Sequence, residues 1–542
     1  MIGFDLGKDN AYRNFEWRIP KTYNIAEEVC DRHAAVENKV ALFYEDEEGN
    51  KEAYSFYKIK CLSDQFAYIL TSLGLRKGDR VAIALPQRPE NAISHLGVLK
   101  MGGISVPLST LYGKETLTHC LRNSRPKAIV IETEKRGRLL EISKKLHGPS
   151  HVIVIGETHK DELDFKKELK HAPYHFKRVN TSADDPAMIF YTSGTTGLPK
   201  GALHAHRFLI GRLPGFQLAH NSFPQKGDLF WSPADWVWVG GLVDCLFAPW
   251  VYGVPVVACN RKKFDPHQSL CLIEEYGVRN SCIPPTALAM MMKEVEKVAR
   301  KYDINLRSVH SGGEHLSSVI LEWAEKELGV AVNEIYGLTE ANFLVGNCQS
   351  METKPGSMGK PYPGHNIEIL DEGGETLPPG KVGEIAVSKE DPVMFLGYWN
   401  NPEATKKSFR GNWFLTGDLA YKDKEGYFWF VGRKDDIIIS SGYRIGPVEV
   451  ESSIIRYGAV EEVAVVASPD EMRGNIVKAF VKLKSGYKPS PKIMKGIQES
   501  VKEDVALYAY PREIEFVDEI PKSITGKIRR DELRERELLR RA

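Results

Sequence analysis

Hydrophobic and polar positions fall into two alternating patterns along most of the chain. Short runs rich in β-branched and aliphatic residues include "DRVAIALP" (79–86), "KAIVIE" (127–132) and "HVIVIG" (151–156). Between them lie longer stretches with apolar residues at helical spacing, such as "RPENAISHLGVLKMG" (88–102). "DLFWSPAD" (228–235), "VPVVAC" (254–259), "LRSVHSGG" (306–313), "SSVILEWAEKELG" (317–329) and "VAVNEIYG" (330–337) continue the rhythm. In "FDPHQSLCLIEEYG" (264–277), Asp265 is the expected N-cap and Pro266 the first helical residue. This βα repetition predicts parallel sheets covered by helices on both faces.

The pattern changes after about residue 360. "HNIEILDEGGETLPPGKVGEIAVS" alternates strands with Gly/Pro turns, which predicts a small β-rich piece. A separate α+β pattern follows: a helix over 447–458, strands "EEVAVVAS" and "IVKAFVKLK", a helix over 491–506 and the strand "REIEFVDEI". A domain boundary is expected at Arg433–Asp435. The fold class is therefore α/β: a large N-terminal domain of parallel βα-type sheets with a small β subdomain, then an α+β C-terminal domain.

Length changes this picture little, since 542 residues exceed one ordinary core and fit two to four units. Charged residues are 27% and the net charge is +1, so bulk charge gives no argument for nucleic acid or an anionic membrane as a partner. The eight cysteines form no CxxC pair and no metal-like spacing, and read as reduced thiols of an intracellular, cytoplasmic protein. The N-terminus lacks a basic region followed by an apolar run, so no secretory signal is expected. "GGLVDCLFAPWVYGVPVVAC" (240–259) has the length of a membrane span. Its Asp244, Pro249, Pro255 and glycines instead predict a buried helix, a turn at Gly253 and a strand. No integral membrane segment is expected.

The chemistry begins at "YTSGTTGLPKG" (191–201). Its glycines allow close backbone approach, its hydroxyls donate to oxyanions and its lysine adds a point charge, as in a phosphate cradle. A Walker loop reads GxxxxGK[ST] and opens a helix. Here Lys200 lies between Pro199 and Gly201, and "AMIFYTS" before and "GALHAH" after both read as strands. The element is β-loop-β, and a P-loop kinase or motor ATPase is disfavoured. "HAH" (204–206) has no Cys or carboxylate nearby for zinc, and "LAMMMKEVEKV" (288–298) reads as core packing.

At the loop the sequence resembles the adenylate-forming superfamily, and within it the AMP-forming acyl-CoA synthetases. The companion signatures follow in order: "IYGLTE" (335–340), "WFLTGDLA" (413–420), "GRKDDIIISSGYRIGPVEVE" (432–451) and "PKSITGKIRR" (521–530). The resemblance spans nearly the whole chain. It implies an N-terminal domain over 1–434 and a mobile C-terminal domain over 435–542. It also implies two half-reactions. A carboxylate attacks the α-phosphate of ATP, giving an acyl-adenylate and pyrophosphate; the CoA thiol then displaces AMP. Its cofactors are ATP, Mg2+ and coenzyme A, and its other substrate is a carboxylic acid.

By resemblance, Thr192, Ser193, Gly194, Thr195, Thr196 and Lys200 hold phosphates. Lys527 bridges carboxylate and phosphate oxygens, although by itself it would read as part of the basic helix "KIRRDELRERELLRR". Tyr336 faces adenine, Thr339 donates to the α-phosphate and Glu340 is the magnesium ligand. Gly313 and Glu314 line the adenine and ribose side, at a strand end where α/β proteins place ligands. The adjacent His315 departs from the proline of many relatives. Asp418 and Arg433 are expected at the ribose, Arg444 at a phosphate and Gly442 beside the pantetheine arm. Asp435 takes the hinge position. The acyl pocket is expected from Trp236, Val239, Gly240, Gly312 and Gly337. Acetate-using relatives carry tryptophan where Gly337 stands, so a larger acid is expected here: medium-chain, branched, alicyclic or aromatic. Trp238 is a further candidate for the pocket wall. The resemblance also implies an acetyltransferase and deacetylase acting on Lys527. Two readings stay open beside the ligase: adenylation with another acyl acceptor, and a non-catalytic adenylate-binding protein, against which Lys527 and Glu340 both argue.

Overall fold

The computed structural model describes residues 15–36, 38–143, 149–192, 199–261, 263–314, 316–440, 443–470, 474–505, 508–523 and 526–541. The chain forms two compact units. The first comprises 1–354, 359–366 and 388–412, the second 355–358, 367–387 and 413–542.

The first unit is built on two large sheets. One runs in the order Gly397–Tyr398, Lys200–Ala205, Pro186–Thr192, Ile104–Pro107, Arg80–Ala84, Ala128–Glu132, His151–Ile155, Leu163–Asp164. From Pro186–Thr192 onward its pairings are parallel, while the first two are antiparallel. The other sheet has a parallel interior, Val332–Leu338 through Ser308–Gly312, Asn280–Cys282, Phe230–Trp231 and Val256–Cys259 to Val40–Glu45. Antiparallel strands close it at both ends: Lys51–Ser55 on one side, Ala341–Gly346 and Lys360–Pro361 on the other.

The predicted βα repetition is thus correct for the sheet interiors. Their strands are largely buried, mainly apolar in Arg80–Ala84, Ala128–Glu132 and Val256–Cys259 but rich in buried polar residues in Asn280–Cys282 and Ser308–Gly312. The edges differ. A strand that returns after a short loop can only pair antiparallel, and such returns occur at the phosphate-loop candidate and at "IYGLTE". Helix Pro89–Lys100 is buried along its whole length, and Asp265 caps Pro266–Tyr276 by accepting from the Gln268 N–H at 2.8 Å. The 240–259 segment is a buried helical run to Val251, a left-handed Gly253 (φ 67°) and strand Val256–Cys259. Among the described residues, no helix is long and apolar enough to cross a membrane.

The second unit contains the antiparallel strands Ile367–Leu370, Gly383–Ser388, Trp413–Lys422 and Phe428–Arg433. Beyond them, hairpin Ile438–Ser440/Tyr443–Ile445 leads to a three-stranded sheet of Val460–Asp470, Gly474–Leu483 and Glu513–Phe516. Helices Pro447–Arg456, Pro491–Asp504 and Arg530–Arg541 complete this part. It has its own apolar clusters, one over Ile438 to Ile514 and one over Ala464 to Leu533. By packing, strands 413–433 go with the C-terminal residues. The expected division at 434/435 concerns rotation rather than packing, and belongs with the proposed mechanism.

Candidate active site

Two hairpins of the first unit carry most of the expected nucleotide residues. In the first, Pro186–Thr192 pairs with Lys200–Ala205, and Thr192 stands opposite Lys200. The loop candidate is therefore closed at its base by a β-pair, as a β-loop-β element requires. Ser193, Gly194, Thr195 and Thr196 lie outside the described residues. On the far side of the loop, the His119 ring contacts the Pro199 carbonyl at 2.8 Å, tying helix Lys114–Ser124 to the loop exit. His204 and His206 are buried, and burial holds both rings below the ordinary imidazole range. Among the described residues no cluster of three or more His, Cys, Asp or Glu could hold a metal by itself.

In the second hairpin Leu338 pairs with Ala341, so Thr339 and Glu340 form its two-residue turn. Strand Ser308–Gly312 runs parallel beside it, with Gly312 opposite Ile335. Gly312, Gly313 and Glu314 therefore lie at the same sheet end as Tyr336 and the turn. Gly313 has φ 86°, a left-handed conformation suited to glycine, and a Cβ there would meet nothing within 4 Å. Glu314 accepts from the Thr286 hydroxyl at 3.2 Å. Residue 315 lies outside the described residues.

Glu340 is 7% exposed. Its Oε1 accepts from the Tyr398 hydroxyl at 2.6 Å and its carbonyl from the Phe395 N–H at 3.0 Å. No ion pair among the described residues includes it. The Tyr398 ring also lies under Lys200, whose Nζ is 5.2 Å from the ring centroid. Sequence reasoning missed Tyr398. Its only signal is "GYWNNPEAT", which does not reveal a contact with Glu340 across 58 residues.

Glu334 was missed as well. It lies two residues before Tyr336, and burial pushes its carboxyl from 4.5 up to about 8. A carboxyl whose folded pKa is raised stabilises the fold below the unfolded value, and that stability is lost as pH rises toward the folded value. Glu334→Gln is neutral at every pH. Its thermal midpoint relative to the wild type should rise between pH 4.5 and pH 8 and then level off. Melting curves across this range check the sign; a constant offset would contradict it.

The expected acyl-pocket positions are unequal. Trp236 and Val239 are buried. A Cβ on Gly240 would meet only Asp244 Oδ2, at 3.7 Å. On Gly312 it would fall 2.4 Å from the Ile335 carbonyl oxygen, and on Gly337 2.2 Å from Asn342 Oδ1 and 2.7 Å from the Asn342 Cα. Gly312 and Gly337 therefore permit close strand approach as well as lacking side chains, a reason for glycine that the sequence does not reveal. The space over Gly337 holds Asn342, whose Nδ2 donates to Asp244, which in turn is paired with the buried Arg212 at 2.7 Å. Gly240→Ala should leave stability within about 0.5 kcal/mol, whereas Gly337→Ala should lower it by about 2 kcal/mol through overpacking. Urea unfolding of the two variants separates them.

In the second unit, Asp418 and Arg433 stand opposite each other on paired strands and form an ion pair at 2.8 Å. The two expected ribose residues are thus brought together. The Gly417 N–H donates to Glu384 at 3.0 Å, and Lys434 pairs with the same carboxylate at 3.0 Å. Asp435 lies in the helical turn Lys434–Asp436, where Arg534 donates to its carbonyl at 2.8 Å and pairs with Asp436. Arg444 lies on strand Tyr443–Ile445, opposite Ile439, and Gly442 lies outside the described residues. Lys527 is exposed at the end of a small hairpin. The Ser523 N–H donates to the Lys527 carbonyl at 2.7 Å, and the Arg529 N–H to the Pro521 carbonyl at 2.9 Å. The Lys527 N–H in turn donates to the Ser523 hydroxyl at 3.2 Å. Backbone bonds fix the turn and leave the ammonium outside it.

Comparison with known proteins agrees with this geometry. The family of AMP-binding enzymes matches residues 29–399, and the AMP-binding enzyme C-terminal domain matches 449–527. The chain belongs to this family, and within it to the adenylate-forming acyl-CoA ligases. It is 38% identical to an acetyl-coenzyme A synthetase of Bacillus subtilis over 98% of this chain and 95% of that protein. It is 36% identical to a mitochondrial acyl-coenzyme A synthetase of Rattus norvegicus over 98% of this chain and 93% of that one. Among solved structures, an anthranilate CoA ligase in complex with anthranoyl-AMP superposes with a TM-score of 0.88 at 29% identity, covering 97% of this chain and 99% of that one.

Proposed function

We propose that the chain is an ATP-dependent, AMP-forming acid–CoA ligase. It activates a carboxylic acid larger than acetate as an acyl-adenylate, releases pyrophosphate and passes the acyl group to CoA. One observation carries the reading most directly: Lys200 at the base of the phosphate-loop hairpin and the buried Glu340 carboxylate flank the same tyrosine. A cation and a carboxylate that has no ion pair among the described residues, both set against one tyrosine, suit a polyphosphate and its metal.

The donor set fits magnesium. Mg2+ is commonly held by one or two carboxylates together with phosphate oxygens and water, and Glu340 supplies one carboxylate oxygen beyond the one bonded to Tyr398. When bound, the ion neutralises charge on the phosphates. Lys200 and the loop hydroxyls steer the leaving pyrophosphate. Tyr336, Gly313 and Glu314 frame the base and sugar, Asp418 and Arg433 hold the ribose hydroxyls, and Arg444 reaches a phosphate. Lys527 offsets the repulsion between the two anions that react. Rotation at Asp435 then exchanges Lys527 for the Gly442 segment, beside which the pantetheine arm enters. The same equilibrium run in reverse makes ATP from acyl-CoA, AMP and pyrophosphate.

The acid is the finer question. Relatives named for acetate and for aromatic acids both align along nearly the full chain, so identity does not separate them. Asn342 fills the space over Gly337, so an acid beyond two carbons is favoured by the room over Gly240, where each buried CH₂ would contribute about 0.8 kcal/mol. The test is acid-dependent ATP–pyrophosphate exchange without CoA, across acetate, four- to eight-carbon linear and branched acids, and benzoates. Exchange with no acid in the panel would sink the ligase reading. A higher kcat/KM for acetate than for every longer acid would sink the size argument alone.

A further inference from the structure

Residues 395–399 form a strap across the two nucleotide hairpins. The Phe395 N–H donates to the Glu340 carbonyl at 3.0 Å, and the Leu396 and Trp399 N–H groups donate to the Leu203 and Gly201 carbonyls, each at 2.7 Å. Within this strap Gly397–Tyr398 pairs antiparallel with Lys200–Ala205. The strap is anchored beyond its C-terminal end. The Tyr398 N–H donates to Thr405 Oγ1 at 2.8 Å, and Asn401 caps helix Pro402–Lys407. The Phe395 ring packs edge-on against the Tyr398 ring at 5.0 Å, fixing its plane. The phenol is therefore held from both sides before it reaches any ligand.

We infer that Tyr398 is the positioning residue that couples the metal-binding carboxylate to the phosphate-loop lysine. This deepens the reading of Glu340 and Lys200 given above and rests on it. At 2.6 Å, the phenol–carboxylate bond lies in the range of short, charge-assisted O–H···O⁻ contacts. It occupies one oxygen of Glu340 and restricts rotation of the carboxylate, so a metal would be met through the other oxygen. Outer-shell bonds of this kind orient metal ligands, and their loss typically costs about 10–100-fold in metal affinity or activity. The opposite property of the same side chain, its electron-rich face, lies 5.2 Å from the Lys200 ammonium and limits where that cation can point. The hydroxyl thus acts on the carboxylate and the ring acts on the lysine, and the two can be removed one at a time.

The experiment measures binding of α,β-methylene-ATP to the full chain by titration calorimetry, with and without Mg2+, alongside pyrophosphate exchange. Tyr398→Phe keeps the ring and its packing on Phe395 but removes the hydroxyl. It should reduce the affinity gained from Mg2+ by about tenfold while leaving Mg2+-free affinity unchanged. Tyr398→Leu should lose both the Mg2+ gain and part of the Mg2+-free affinity. A purely structural role would lower both affinities together in Tyr398→Phe, and that outcome, or no change at all, overturns the inference. Glu340→Gln is the reference variant. If it abolishes the Mg2+ gain and Tyr398→Phe does not, the positioning role fails while the reading of Glu340 stands. If Glu340→Gln itself keeps the Mg2+ gain, the reading of Glu340 falls and the role of Tyr398 falls with it.

Discussion

Lys527→Ala should abolish acid-dependent ATP–pyrophosphate exchange, by about a thousandfold, while CoA attack on a supplied acyl-adenylate stays within a few-fold of the wild type. The magnitude follows from the charges. Two unit charges at 4 Å repel by ~4 kcal/mol at an effective dielectric of 20, and the acid must approach a triphosphate that bears several. A cation aimed at the reacting oxygens removes much of this cost. The turn around Lys527 is closed by backbone bonds and by Ser523, so alanine should leave the hairpin and the melting temperature intact. Equal loss of both half-reactions would show that the lysine holds structure rather than charge. Acetylation would remove the same charge, so acetyl-lysine installed at 527 should reproduce the alanine result.

Asp435→Pro should keep one half-reaction and lose the other by at least about a hundredfold, which measuring exchange and thioester formation separately would show. Two clamps bracket this position. Lys434 is held to Glu384, while the Asp435 carbonyl and the Asp436 carboxylate are held to Arg534 on the C-terminal helix. On the proposed hinge, a change of backbone angles would fall between these two contacts. Proline fixes its own φ and pushes the preceding residue out of the helical region, which Lys434 occupies in the observed turn. If both half-reactions fall together, the rotation does not lie here.

Much of this architecture is legible in the sequence where the physics is local. The apolar runs flanking 191–201 are strands because of their own composition, and Asp265–Pro266 starts a helix because both residues satisfy a helix N-terminus. "TGD" and "GR" read as a pair only through family likeness, and Asp418 and Arg433 do meet across paired strands. What the sequence hides is long-range. Nothing in "GYWNNPEAT" says that Tyr398 reaches a carboxylate in another hairpin. Nothing in "IYGLTE" says that Gly337 is also required by the close approach of Asn342. Glu334 reads as an ordinary strand charge until its surroundings are known.

The apolar clusters of the C-terminal part draw only on residues from Ile438 onward, just past the proposed hinge. A polypeptide beginning at 435 would thus carry both of these clusters with it, and would leave behind strands 413–433 that pack beside them. The carrier of Lys527 and the carrier of the nucleotide hairpins could be made as separate chains and mixed. Adenylation would then become a bimolecular event, with a concentration dependence that measures how much the covalent hinge contributes by effective molarity alone.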